Sequence, residues 1–427
     1  MSSRRTLAVR GSALIAGLAL ASGLTATAPA VAAERAELTA PALTGQYDVG
    51  TTDLHLVDRS RPDPWKPERR RELMVTVTYP ADRSVTGPRA PWLTPGMSAV
   101  IDQALAGKGL LDLPAGSIDW ASAKRRARTG VPAAPGAPKP VTLFSPGFGA
   151  PRETYTAIID DLASRGYVVV SLSHTYESAA VEFPGGRLEL AVPGDDHPAL
   201  EKKALDARVA DSRFVLDQLT KIARGENPDA NKRPLPRGLG RSLDLTRVGA
   251  YGHSYGGFTA GETMVHDRRI DAGINLDGAL ATAFGYPPGT PYVPGEVAKR
   301  GLSRPFLLMG AEGVDQNGEP LKHTHRHPEF DRSWADFWAR QRGWKRDLLL
   351  RGARHLSYSD LQVIVPQLGA RVTPERREAA IGAIDPRRSL AAQRDYLGAF
   401  FDLHLRGRDR HLFDGESPRH PNIDFID

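Results

Sequence analysis

The chain has 427 residues, 41% of them hydrophobic and 25% charged, and it contains no cysteine. That composition suits a soluble globular enzyme and excludes both a disulfide framework and a lipid-anchored amino-terminal cysteine. The net charge is +6, becoming +3 once Arg4, Arg5 and Arg10 are set aside, and no basic helix or aromatic–basic interleaving points to nucleic acid.

Residues 1–33 read as a secretory signal peptide. Arg4, Arg5 and Arg10 form a basic head, Gly11 to Leu24 an apolar run, and Ala30-Val31-Ala32-Ala33 a small-residue cleavage site. The apolar run is too short to span a bilayer, so the mature protein is expected to be extracellular with no transmembrane segment. Ser3-Arg4-Arg5-Thr6-Leu7 also matches the start of a twin-arginine signal. From 34 to 427 the pattern is that of one domain.

A strand is predicted at Leu54–Val57 and another over Leu73–Tyr79, stopped by Pro80. Asp82 to Pro140 reads as an insertion rich in Pro and Gly, with one helix over Met97–Ala106. The runs Arg69-Arg70-Arg71 and Lys124-Arg125-Arg126 read as solvated faces. Val141–Phe144 is a short apolar strand, followed by a helix with Tyr155, Ile158, Ile159 and Leu162 on one face. Gly166 closes that helix, and Tyr167–Leu172 is a buried-type strand, making a β-α-β unit with a parallel sheet implied. Val181–Leu190 reads as a hairpin. A long helix, about Ala199 to Arg224, carries Leu205, Val209, Leu216, Leu219 and Ala223 inward.

A short β-prone run from Arg247 feeds Gly252, strands follow at Ala272–Leu276, Pro305–Met309 and Arg346–Leu350, and helices lie over Asp331–Gln341 and Arg387–Leu405. Gly278 to Arg304 is too short and too broken by Pro and Gly for a helical cap, which predicts an open, short-loop site. The tail from Gly407 is polar and reads as extended.

The motif that organises this pattern is Gly252-His253-Ser254-Tyr255-Gly256-Gly257, between a β-prone run and a small-residue helix. A strand–turn–helix elbow exposes its serine at a strained backbone position, so the residues two either side must lack bulk. Ser254 is therefore the candidate nucleophile. A serine hydroxyl needs an imidazole to take its proton, and the imidazole needs a carboxylate to fix its tautomer. On a doubly wound sheet these follow in the order Ser, acid, His, from loops at the carboxyl ends of later strands. Three acids compete: Asp277 directly after its strand, and Glu312 and Asp315 after the next. His355 is the only histidine in the loop after the last predicted strand and is the candidate base. His253, inside the elbow, reads as a packing neighbour of the nucleophile. His323, His325 and His327 alternate as in some metal sites, but they lack the nearby carboxylate pairs or thiolates a metal would use. The oxyanion donors expected are the backbone N–H groups of Tyr255 and of Phe148, flanked by Gly147 and Gly149.

With Leu143-Phe144-Ser145-Pro146-Gly147-Phe148-Gly149-Ala150, Asp161–Tyr167, the elbow, Asn275-Leu276-Asp277-Gly278 and Arg354–Asp360 in view, the chain resembles a known family. It is similar to the α/β-hydrolase platelet-activating factor acetylhydrolases of the plasma and type II kind, and to secreted actinobacterial lipases, over about Leu73 to Leu405. The resemblance implies Asp277 as the acid, His355 as the base, and Phe148 and Tyr255 as oxyanion donors. Pro146 departs from the pattern, since many members carry His before the glycine. The implied activity is hydrolysis of short-acyl or exposed esters by a serine carboxylesterase or lipase, with neither metal nor cofactor. The expected partners are a small-molecule or lipid ester and transient contact with a lipid interface, with the protein a monomer. A peptidase using the same triad, or a non-catalytic binding module on this scaffold, are the alternatives.

Overall fold

A computed structural model describes residues 34–106, 110–193, 197–284, 291–314 and 319–427. The export signal and Asp315 lie outside these described residues.

Eleven strands form one sheet: β1 (Asp48–Pro62), β2 (Arg70–Ala81), β3 (Arg89–Pro91), β4 (Lys124–Thr129), β5 (Lys139–Ser145), β6 (Val168–Ser173), β7 (Leu243–His253), β8 (Ala272–Leu276), β9 (Phe306–Gly310), β10 (Lys345–Leu350) and β11 (Ile423–Phe425). Their spatial order is β11-β10-β9-β8-β7-β5-β6-β2-β1-β4-β3. The six strands β5 to β10 run parallel, whereas β2 meets β6 and β11 meets β10 antiparallel. This is the mostly parallel α/β sheet expected of an α/β-hydrolase.

Both faces of the parallel strands are covered, which is why they read as near-continuous apolar runs. Val141 and Leu143 of β5 and Val248 and Ala250 of β7 pack with Leu205, Leu216, Leu219 and Ile222 of α3 (His197–Ala223). Phe258 and Met264 of the elbow helix α4 (Tyr255–His266) join that layer. Residues one position away, Phe144 and Tyr251, point to the other face. There they meet Ile158 and Leu162 of α2 (Thr156–Ser164) and Leu397, Phe400 and Phe401 of α6 (Pro386–Arg406). In α3 it is Ile222, not Ala223, that turns inward.

Three expectations change. The segment after β2 is less an insertion than a sheet extension: β4 pairs parallel with β1, and α1 (Pro95–Leu105) packs Met97 and Leu105 into a satellite core with Ile364, Val365 and Ile381. The basic runs are only partly solvated. Side chains alternate along a strand, so Arg71 on β2 and Arg125 on β4 turn inward, where Arg71 meets Asp63 and Asp211 at 2.8 and 2.7 Å and Arg125 meets Asp160 at 2.5 Å. The carboxyl-terminal tail is anchored, with Phe413 and Ile423 buried and β11 closing the sheet edge.

Register positions the site. Ser145 of β5 lies opposite Gly252, His253 opposite Leu276, and Leu276 opposite Met309. The loops leaving β5, β7, β8 and β9 therefore emerge level with one another. Between β8 and β9 the described residues form a short hairpin, Ala281–Phe284 with Tyr292–Pro294, and the five-residue helix Glu296–Arg300. No helical cap is evident there. Among the described residues no helix is long and apolar enough to cross a membrane.

Candidate active site

Connections leave the central strands in opposite directions between β5 and β7, and crevices at the carboxyl ends of such strands are where α/β sheets bind ligands. The sequence delivers Ser254 to this point. Its backbone is left-handed, at φ 56° and ψ −127°, a conformation a non-glycine residue adopts only when its surroundings over-determine it. The surroundings here are extremely close. A Cβ on Gly256 would stand 1.9 Å from the Ser145 carbonyl oxygen, and one on Gly278 1.9 Å from the Ser254 carbonyl oxygen. Ser254 is half-exposed while its neighbours on both sides are buried.

The Ser254 N–H donates to the Leu276 carbonyl at 2.7 Å, which fixes the elbow to the end of β8. The next residue, Asp277, is also left-handed at φ 56° and accepts from His355 Nδ1 at 2.6 Å through Oδ2. His355 starts a 3₁₀ turn, His355–Tyr358, and its carbonyl accepts from His253 Nε2 at 2.8 Å. A closed ring of bonds thus joins the three candidate residues through their chain neighbours. Asp277 is buried at 6% side-chain exposure, whereas His355 is 46% exposed, so the imidazole has one edge on the acid and another open to a ligand.

Of the two other candidate acids, Glu312 is the one among the described residues. Glu312 lies on a hairpin strand, Glu312–Val314, with its N–H on the Ala353 carbonyl, and His355 Nδ1 meets Asp277 instead. Burial alone would push the Asp277 carboxyl up, but the hydrogen bond and charge of His323, and then those of His355, hold it well below the usual carboxylate range. The three alternating histidines bind four carboxylates, none of them shared among the three. His323 meets Asp277 and Asp331, His325 meets Asp347 at 2.6 Å, and exposed His327 meets Glu329 at 2.8 Å.

His253 does more than pack. With Nε2–H donated to the His355 carbonyl, Nδ1 is an acceptor, and it receives the Tyr155 hydroxyl at 3.0 Å. Burial, then the neighbouring His355, push its pKa down to about 3, so it stays neutral.

The loop after β5 is held from below. Gly147 N–H donates to the Tyr155 hydroxyl at 3.2 Å, and Gly149 N–H donates to Glu177 Oε1 at 2.6 Å. Arg208, buried on α3, donates to the carbonyls of Pro146 at 2.7 Å and Gly147 at 3.0 Å, while its Nε reaches Glu177 at 2.8 Å. These contacts anchor the loop even though Pro146 offers no side-chain hydrogen bond of its own. Phe148 sits between the two bonded glycines, its ring edge-on to Tyr255 at 5.4 Å. Tyr255 opens α4, where the first N–H groups of a helix have no intrahelical acceptor. A buried Ser-His-Asp chain runs beneath, Ser145 to His174 at 3.3 Å and His174 to Asp211 at 3.0 Å. All three of its members are buried, so it braces the loop base and no substrate reaches it.

Tyr155, Glu177, Arg208 and Asp331 carry no motif, and His323 shows only as one of three alternating histidines. A further signal is a lone arginine on the apolar stripe of α3, beside Leu205 and Val209.

Set beside known proteins, residues 32–415 match the family model described as platelet-activating factor acetylhydrolase, isoform II. The chain belongs to that family. It is 30% identical over 303 residues to a probable 1-alkyl-2-acetylglycerophosphocholine esterase of Arthroderma benhamiae, covering 67% of this chain and 66% of that one. It is 31% identical over 257 residues to the platelet-activating factor acetylhydrolase of Cavia porcellus, covering 56% of this chain and 55% of the relative. The match therefore spans just under two thirds of the first relative's length and about half of the second's. Among solved structures, a ferulic acid esterase from Streptomyces cinnamoneus superposes with a TM-score of 0.70 at 34% identity, over 92% of this chain and all of that one.

Proposed function

We propose that this family member is an exported serine carboxylic ester hydrolase. Ser254 attacks the ester carbonyl while His355 takes its proton, and Asp277 holds the imidazole in the tautomer that can accept it. The N–H groups of Phe148 and Tyr255 receive the charge that develops on the carbonyl oxygen, each worth on the order of 3 kcal/mol at the transition state. His355 returns the proton to the departing alcohol, leaving Ser254 acylated. Water, deprotonated by His355 in turn, then releases the acid.

The observation that carries this reading is the 2.6 Å bond between His355 Nδ1 and Asp277 Oδ2, beside a serine held at a left-handed elbow. Export rests on the basic head, apolar run and small-residue end of residues 1–33. The relatives are named for an acetyl ester of a glycerophosphocholine and for ferulic acid esters, which share a small or flat acyl group. With no helical cap over the site among the described residues, the expected substrates are short-acyl or exposed esters.

The test is a panel of nitrophenyl esters from acetyl to palmitoyl, hydrolysed by the mature chain and by Ser254→Ala. The proposal predicts activity falling with acyl length and abolished in the variant. Clear preference for long chains would overturn the short-acyl assignment, and full activity in Ser254→Ala would overturn the nucleophile.

A further inference from the structure

His323 occupies the side of the Asp277 carboxylate that His355 does not. Its Nδ1 stands 2.9 Å from Asp277 Oδ1, and its Nε2 stands 2.8 Å from Asp331 Oδ2. An ionised carboxylate only accepts hydrogen bonds, so an imidazole with a carboxylate at each nitrogen needs a hydrogen on both. The remaining acceptor sites are also engaged. Asp277 Oδ1 takes the Ala311 N–H at 2.8 Å, and Asp331 Oδ1 takes the N–H and hydroxyl of Ser333 at 2.8 and 2.6 Å. Donors therefore surround both acids, and the proton belongs on the ring.

The ring is fixed as well as charged. It is buried, stacked on Trp334 at 4.0 Å between centroids and edge-on to Phe330 at 5.3 Å. Trp334 donates to the Gly278 carbonyl at 2.7 Å, so the helix α5 (Arg332–Arg340) that carries it is tied to the residue after Asp277.

We propose that His323, held by Asp331, is a positioning residue for the triad, a buried cation behind Asp277 that aims its carboxylate at His355 and sets the acid limit of activity. This rests on Ser254, Asp277 and His355 being the catalytic set. A carboxylate that already neutralises one cation attracts a second less strongly. His355 must be neutral to accept the serine proton, and His323 takes up part of the Asp277 charge that would otherwise favour its imidazolium. Other titratable groups face the pair too. Asp277 is approached by His253 from the elbow and Tyr358 from the 3₁₀ turn, and His323 feels Asp347 of β10, itself bonded to His325. In agreement, burial would lower the His323 pKa, but Asp277 and Asp331 push it up to about 10.

The experiment compares pH profiles of kcat/KM on nitrophenyl acetate for wild type, His323→Gln and Asp331→Asn. The acidic limb should move to higher pH by about one unit in His323→Gln, and in the same direction by less in Asp331→Asn. A uniform loss of rate with the limb unmoved would reduce His323 to packing and overturn the proposal. A second measurement does not depend on activity: imidazole ¹⁵N spectra of Ser254→Ala labelled at histidine. Both His323 nitrogens should remain protonated at pH 8, and a neutral tautomer there would overturn the proposal even if the glutamine variant failed to fold. Persistent hydrolysis by Ser254→Ala would instead sink the triad, while the spectra would still decide the state of His323.

Discussion

Arg208 and Glu177 face each other at 2.6 Å in the interior, and between them they hold three backbone groups of the loop after β5. The arginine takes the carbonyls of Pro146 and Gly147, and the glutamate takes the N–H of Gly149. Phe148 is thereby presented with both flanks fixed, which is the preorganisation an oxyanion donor requires.

Replacing Arg208 by Met should destabilise the fold by about 3–5 kcal/mol, because it leaves Glu177 buried without its partner. Guanidinium denaturation would measure this. The double variant Arg208→Met, Glu177→Gln should recover part of the loss, since neither charge then remains unpaired. Catalysis should not recover with it, because the two carbonyl anchors stay missing and the loop is free to drift. Recovery of both together would mean that the ion pair matters for stability alone.

Asp277→Asn should lower kcat by roughly 10⁴, with KM little changed. The amide can still hydrogen-bond His355, but it no longer stabilises the imidazolium formed during attack. It can also hold the ring in the wrong tautomer by donating to Nδ1. The same change removes one of the two carboxylates from His323, so a drop in melting temperature should accompany the kinetic loss. Glu312→Gln should do neither, and a large kinetic effect there would point to that acid after all.

Much of this arrangement could be read from the chain before any coordinates. Val141–Phe144, Tyr167–Leu172 and Ala272–Leu276 are short apolar runs because both of their faces are covered, and an elbow serine demands glycines at fixed offsets. Such requirements are local, so the sequence displays them. The supports are a different matter. Arg208 lies 62 residues from the Pro146 carbonyl it binds, and His323 lies 46 from Asp277, each joined by a pairing that only the register of the sheet brings about. Arg71 and Arg125 misled for a related reason. Three consecutive charges look solvated until a strand turns one of them inward, where a buried aspartate is waiting.

Tyr155→Phe isolates a single atom in this support. The hydroxyl receives the Gly147 N–H and donates to His253 Nδ1, so deleting it leaves two buried polar groups unsatisfied. Thermal unfolding should show a loss of about 1–3 kcal/mol. The effect on rate should fall on kcat more than on KM, because His253 in turn holds the carbonyl of His355. A variant as stable and as active as the parent would mean that water or a relaxed loop replaces the hydroxyl.

The two buried histidines beside the proposed triad predict opposite slopes in stability against pH. In the unfolded chain both titrate near the ordinary value of 6.5, while in the fold His323 sits at about 10 and His253 at about 3. Below pH 6.5 His323 is protonated in both states and its stabilisation is fully present. As pH rises toward 10 the unfolded chain gives up that proton first, and the stabilisation is lost. For His253 the sign reverses: as pH falls from 6.5 toward 3, the unfolded chain takes up a proton that the fold refuses, and stability declines. Glu201, whose pKa burial raises to about 8, adds to the alkaline decline without distinguishing the histidines. Comparison with His323→Gln removes the common terms. Its stability deficit relative to wild type should be on the order of several kcal/mol at pH 6 and shrink steadily toward pH 10. Denaturation midpoints at half-unit intervals would trace the difference, and two parallel curves would show that His323 carries no excess proton in the fold.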